Sequence, residues 1–503
     1  MSEADKMLNN NKPAGAENAA PAGDKANAPA ASEGALAGGM PPIAVRMMRN
    51  KTALSLNEPD RVPFMPSMNN FYALHYGVTV EESMTDARSL IEPLKRFCED
   101  YNPDWVWNPV PFPIKPMETI GHKQARFPGK YYNLPANTPY QYVDKSYLSE
   151  DDYDEYFEDP TKYVINKVLP NKYSGLEGLK NLDIDKSILE GYDKALWEAD
   201  PTGFALHVAI PAKYPELDGL KYINPFATTG HCILSNMQFA NPAAAAALKA
   251  AMNKVDPASA AAFKTLLQVA DETFSYMQGG IELTMSIINN GYPVYGGSPA
   301  CIPFDDFADS IRGLMDLCMD VVTDPDLVDE AIQKLGDISI PAAIRNAKMS
   351  HCEDLFLPLH CGVENFMSIQ NYEEHYWPCL KRTIMAAIEA DLTPIVFCEG
   401  KYTNRLECLT DVPAGKVLYA FEDVDLEKAK KILTGHAAIG AGMNTHTLMS
   451  GTPEQVEDEV KRNMDLLAPG GGFFSMNSIA LDEVSPENMH AWRNAVEKYG
   501  YYK

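Results

Sequence analysis

Side chains able to do acid–base or metal chemistry recur in this chain at one kind of place, the carboxyl end of a short apolar stretch. Residues 355–360 end on His360, 394–399 on Glu399 and 417–422 on Glu422, while 437–444 is followed two positions on by His446. Carboxylates and imidazoles around one rim can move protons near neutral pH or offer oxygen and nitrogen ligands to a cation. Strand alternation allows only one of Cys398 and Glu399, and only one of His360 and Cys361, to face a common cavity. His360, if it faces inward, can donate a proton to a leaving oxygen; an imidazole satisfied by nearby backbone is the plainer alternative. Asn444 and His446 share a face if their strand runs on that far.

The elements that must position these groups repeat as apolar strand, then helix. Stretches 355–360, 394–399, 417–422, 437–444 and 473–477 are each followed by a helix-like segment, and 62–65, 105–107 and 294–295 read as earlier strands. Eight such strands predict an α/β fold, a (β/α)8 TIM barrel, with its chemistry at the strands' carboxyl ends. Helix starts are marked by Thr452-Pro453-Glu454 and Ser485-Pro486-Glu487, each a hydroxyl cap, a proline and an early acid. Val456, Val460 and Leu467 follow at helical spacing, and 372–390 puts Trp377, Leu380, Ile384 and Ile388 on one face. Residues 1–42 are rich in Ala, Gly, Pro and Asn and are expected to be a disordered N-terminal tail. Residues 43–503 then form the barrel. A largely helical insertion over about 115–290 separates its second and third strands; it is acidic and tyrosine-rich over 149–195 and carries the alanine run 243–247.

The chain has 503 residues, 46% of them hydrophobic, and a net charge of −26. That balance disfavours nucleic acid and anionic membrane surfaces as partners, and a highly anionic substrate unless a local basic pocket exists. No apolar run is long enough to span a bilayer, and the first residues lack a secretory pattern. Nine cysteines without a CxxC pair read as reduced thiols in a cytoplasmic protein. No P-loop is present, and Gly470–Gly472 reads as a helix stop before a strand.

Several segments are familiar as a set: Phe366-Met367-Ser368, Tyr376-Trp377-Pro378, Phe397-Cys398-Glu399-Gly400, Arg405-Leu406-Glu407, Gly451-Thr452-Pro453-Glu454, Pro303-Phe304-Asp305 before Arg312-Gly313, and the stretch 469–473. Together they resemble the uroporphyrinogen decarboxylase superfamily over most of 43–500. They are most similar to its long-chain branch, which includes corrinoid-dependent methyltransferases that demethylate methoxylated aromatics. Two departures narrow the resemblance. The first strand reads Val62-Pro63-Phe64-Met65-Pro66-Ser67-Met68-Asn69-Asn70, with no arginine after Arg61 to clamp the carboxylates of a porphyrin. The His-x-Cys-Gly zinc motif of thiol-methylating members is replaced by Phe397-Cys398-Glu399-Gly400, and Ser475-Met476-Asn477 stands where a further cysteine is expected.

The resemblance implies the rest. Aromatic-ether demethylases of this superfamily share two glutamates with fourteen residues between them and a histidine roughly twenty further on. Glu407 and Glu422 fit the first spacing; Met443 occupies the histidine's place, and His446 lies three residues later. Glu407, Glu422 and His446 are therefore the expected ligands of a Zn2+ that polarises an ether oxygen. The alternative leaves Glu407 on a helix face and Glu422 paired with a basic neighbour. Glu399, as ligand or general acid, and His360 are the expected catalytic groups. Asp305, Arg312 and Arg405 read as ion pairs near the barrel top. Phe71, Tyr72, Trp105 and Trp107 could wall a pocket for a planar ring, with core packing the stronger reading for both tryptophans. His375 and Trp377 read as packing or surface residues. The chain lacks an Asp-x-His-x-x-Gly corrinoid motif, so a corrinoid would arrive on a separate protein. The expected activity is methyl transfer from a methoxylated, aromatic substrate to Co(I) of that corrinoid protein in an anaerobe's cytoplasm, and a homo-oligomer is compatible with it. The alternatives are a decarboxylase or lyase acting on a small organic or tetrapyrrole-like acid, and a non-catalytic barrel that binds a ligand.

Overall fold

The computed structural model describes residues 40–107, 110–182, 256–296, 298–349, 352–478 and 480–502. The tail expected over 1–42 lies outside them up to residue 39, as does most of the middle of the expected insertion, with its alanine run. The first helix spans Pro42–Leu54, with proline at its start. The strands are β1 (Val106–Trp107), β2 (Ala125–Arg126), β3 (Gln141–Tyr142), β4 (Val294–Tyr295), β5 (Asp354–Leu359), β6 (Thr393–Lys401), β7 (Leu418–Asp423), β8 (Ala438–Met443) and β9 (Phe473–Asn477). β5 to β9 form one parallel sheet in sequence order, and β1 pairs with β4, also in parallel. Helices Trp377–Glu389, Leu426–Leu433 and Pro453–Leu467 cross from one strand of that sheet to the next, as parallel pairing requires. The link from β6 to β7 is instead made of short tight turns at Thr403–Arg405 and Cys408–Thr410.

The remaining expected strands pair through single bridges. Phe64 bridges Ser475 of β9, Pro299 bridges Phe356 of β5, and the Asp104 amide donates to the Phe64 carbonyl at 2.9 Å. The fold is thus α/β with a parallel sheet, while continuous ladders do not by themselves close a ring. The 62–65 segment is pinned from beneath by the buried Asp104 carboxylate, which accepts from Arg49, from Arg61 at 2.5 Å and from the Phe64 amide at 2.8 Å. Arg61 is committed to this anchor, away from any cavity.

The period-two pattern sorts the strands' side chains into two layers. Ile395, Phe397, Leu418, Ala420, Phe474 and Met476 share one inner cluster with Trp105. Val396, Cys398, Tyr419, Phe421, Leu357 and Leu359 belong to the outer core between sheet and helices. A residue's parity therefore fixes its direction through the strand and for the one or two residues that follow it. Glu399, Glu422 and His360 carry inner parity; Cys398 and Cys361 carry outer parity and are fully buried.

Candidate active site

At the carboxyl ends of these strands opens a cavity of about 600 Å³, a volume suited to a single-ring ligand. Trp107, Phe112, Tyr140, Phe356 and Phe397 give it an aromatic wall. His360 and Glu399 face into it from neighbouring strands β5 and β6, with Asp309 beside them. Among the described residues its wall holds no lysine or arginine.

His360 is set by a short helix, Pro303–Phe307, that runs into a wide π-helical turn, Ala308–Arg312. Asp305 and Asp309 lie four residues apart and both reach the imidazole. Asp309 Oδ1 is 3.0 Å from His360 Nε2; Asp305 Oδ2 is 3.7 Å from Nδ1 and accepts from the His360 amide at 3.1 Å. Tyr376, from a second π-helical turn at Tyr372–Tyr376, donates to the same Asp305 oxygen at 3.1 Å. Tyr142 and Gln124 both donate to the Asp309 carbonyl, at 2.7 and 2.6 Å, and hold the turn from outside. Burial alone would lower the His360 pKa, but Asp305 and then Asp309 outweigh it and raise it to about 10. The ring is an imidazolium at neutral pH. Burial pushes the Asp305 carboxyl upward, against the pull of that imidazolium.

Glu399 sits where β6 departs from regular pairing. The register shifts between Cys398 and Lys401, and Gly400 has φ +70. Its amide donates to Glu422 Oε2 at 2.6 Å, so the neighbouring carboxylate fixes the bulge. Burial raises the Glu399 pKa to about 7; His360 opposes the rise, and Asp305, Glu422 and Asp309 add to it. A carboxyl that titrates near neutrality beside an imidazolium is a proton donor and acceptor in one site.

The other expected groups are dispersed. Glu407 is exposed and pairs with Lys428 at 3.2 Å, while Glu422 is committed to the Gly400 amide. His446 is exposed in the first turn of the helix Thr445–Ser450, capped by Asn444, which accepts from the His446 amide at 2.8 Å. A strand continuing to 446 is thus replaced by a helix start. Glu407, Glu422 and His446 do not gather as a Zn2+ site, and their surroundings supply each with another partner or with solvent. Among the described residues the one grouping of three ligand types is Asp305, His360 and Cys361, whose ligand atoms lie within 4.8 Å of one another. It fits an ion poorly. His360 Nε2 is engaged by Asp309 at 3.0 Å, and Asp305 Oδ2 already accepts from the His360 amide and from Tyr376.

Arg312 forms a two-pronged pair with Asp320 at 2.6 and 3.0 Å. Arg405 is buried, donates to the Gly362 and Met367 carbonyls at 3.1 and 2.5 Å, and stacks on Tyr372. Phe71, Tyr72 and Trp105 belong to the core, and of the four aromatics considered Trp107 alone reaches the cavity wall. His375 pairs with Asp329 at 3.0 Å, and Trp377 is packed. Asp309, Tyr140 and Tyr142 escaped the sequence reading. The spacing Asp305-x-x-x-Asp309 was the available signal for the first; the tyrosines come from the insertion and have none.

Residues 249–499 match the family model of uroporphyrinogen decarboxylase (URO-D). A methyltransferase from Methanosarcina mazei shares the fold at TM-score 0.51 and 13% identity, covering 90% of this chain and 98% of that one. A B12-independent methionine synthase from Shewanella sp. W3-18-1 overlaps far less, at TM-score 0.30 and 12% identity over 43% of this chain and 66% of that one. A search of curated proteins gives no match. The chain belongs to the uroporphyrinogen decarboxylase superfamily, and among the described residues no helix is long and apolar enough to cross a membrane.

Proposed function

We propose that this protein is a methyltransferase that removes the methyl group of a methoxylated aromatic substrate and delivers it to a corrinoid carried by a separate protein, with the strand ends at the mouth of a closed barrel. The observation that carries the reading is a neutral-range carboxyl, Glu399, and an imidazolium, His360, on one aromatic-walled cavity. The corrinoid would supply a reduced cobalt centre as methyl acceptor. The aromatic wall stacks the ring of the substrate, orients its ether and excludes water. The methyl leaves as a cation equivalent, so the electron pair of the C–O bond stays on oxygen. A proton from Glu399, or from His360, completes the phenol, and Asp309 and Asp305 hold His360 in its charged form for that purpose. Stabilising the charge that develops on the leaving oxygen is the main chemical demand of aryl ether cleavage.

A decarboxylase reading, to which the family's description points, lacks a basic clamp for a carboxylate among the described wall residues. The deciding experiment incubates the protein with reduced corrinoid protein and a panel of methoxylated aromatics, following methyl transfer and carbon dioxide together, with zinc quantified on the same sample. Transfer that is lost in Glu399→Gln and His360→Ala supports the proposal. Carbon dioxide without methyl transfer overturns it, and zinc lost stoichiometrically with His360 would replace proton donation by Lewis-acid chemistry.

A further inference from the structure

We propose that the cavity takes methoxyarenes that are neutral or positively charged and rejects those that carry a carboxylate. This rests on the methyl-transfer reading for the choice of ring, but the charge selection follows from the wall itself. Among the described residues three carboxyl groups line the cavity, Asp144, Asp309 and Glu399, against one cation, His360. That cation is already engaged by Asp309 at 3.0 Å and faced by Asp305 at 3.7 Å.

Behind the wall the balance does not reverse. Asp305 and Asp306 are buried there, together with one lysine, Lys172, 3% exposed. Lys172 lines a separate void of about 10 Å³ together with Asp309, Tyr140 and Tyr142, and it is absent from the wall of the main cavity. Burial lowers its pKa to about 8 while Asp306, Asp309 and Cys301 pull upward. At the rim, Asp144 is exposed and accepts from the Leu314 amide at 2.9 Å, which fixes a negative charge at the opening. The field of the whole chain, at −26, has the same sign.

Neutral recognition is provided for. The carboxamide of Asn69 is exposed, lines the cavity and makes no side-chain hydrogen bond among the described residues. A side pocket of about 90 Å³ shares Asn69, Asn70 and Trp107 with the main cavity, giving room for a hydroxyl-bearing substituent. An amide offers both a donor and an acceptor to such a group, whereas a carboxylate there would meet acids without a basic partner.

A matched series tests this: 4-hydroxy-3-methoxybenzoate, the corresponding benzyl alcohol and the corresponding benzylamine, titrated calorimetrically into the full chain at pH 7 without corrinoid. The alcohol should bind about 50-fold more tightly than the acid, the factor given by one surplus carboxylate about 7 Å away at an effective dielectric of about 20, and the amine more tightly still. Asp144→Asn, which keeps an acceptor for the Leu314 amide, should narrow the gap by about 2- to 5-fold and leave the alcohol's affinity unchanged. Equal or tighter binding of the acid, or binding of none of the three, overturns the proposal. Selective binding of alcohol and amine with no methyl transfer in the separate assay leaves the charge selection standing and removes the transfer reading; equal binding of all three with transfer does the reverse.

Discussion

Asp309→Asn removes one negative charge 3.0 Å from His360 Nε2 while preserving shape. The carbonyl of residue 309 still accepts from Tyr142 and Gln124, so the turn keeps its outer anchors. A hydrogen bond to a charged group contributes about 1.5–3 kcal/mol, and one pH unit corresponds to about 1.4 kcal/mol. His360 should therefore titrate about 1–2 units below its present value of about 10, with Asp305 at 3.7 Å still holding it up. The sign carries over to stability. A folded-state value above the unfolded imidazole's means that the carboxylates stabilise the fold fully below about pH 6.5 and lose this contribution as pH rises through about 10. The variant should thus unfold more easily by about 1.5–3 kcal/mol at pH 6 and almost equally at pH 10.5. Nitrogen chemical shifts of the ring, assigned with His360→Ala, give the titration, and urea unfolding at both pH values gives the stability. A wild-type His360 that titrates near the ordinary imidazole value, or one whose titration is unmoved by the substitution, would falsify the charge assignment.

Four further outcomes rest on the same geometry. Methyl transfer should fall as pH rises through about 7, where Glu399 loses its proton; Glu399→Gln should abolish that limb and lower kcat/KM by about 10²–10⁴-fold. Because burial raises this carboxyl, its ionisation opposes folding increasingly from about pH 4.5 and fully above about pH 7, so Glu399→Gln should be more stable by roughly 3 kcal/mol at pH 8 and indistinguishable near pH 4. Gly400→Ala places a Cβ 3.0 Å from Val363 Cγ1 at φ +70; it should cost about 1–3 kcal/mol in thermal unfolding and lower kcat by re-aiming Glu399 and Glu422. Glu407→Ala and His446→Ala remove exposed side chains and should leave stability within about 0.5 kcal/mol, with metal content and turnover unchanged; a stoichiometric loss of zinc in either would restore the expected ligand set.

The strands that carry chemistry were legible because their alternation is strict. In 394–399 the inner set Ile395, Phe397, Glu399 and the outer set Val396, Cys398 differ in what they pack against, and parity alone decides which end residue meets the cavity. Spacing to distant ligands was not legible. Glu407 and His446 lie past the ends of β6 and β8, on a tight turn and a helix start, where strand parity no longer holds and a one-residue shift turns a side chain to solvent. The Asp309 contribution depends on a wide turn that local propensity does not announce, and the tyrosines at 140 and 142 arrive from a part of the chain whose path over the cavity is set by tertiary packing. Helix caps at Thr452 and Ser485 were readable because the hydroxyl, proline and acid act within four residues.

The wide turn at Ala308–Arg312 has a genetic corollary. A helix that gains one residue without lengthening its flanks stores it as such a turn. Loss of a single codon just before Asp309 would restore regular winding, swing that carboxylate about 100° around the helix axis, and leave every strand of the sheet in place. A lineage can therefore shed or regain the imidazole's second acid in one step, and indels at this position should mark changes of chemistry among proteins of this architecture.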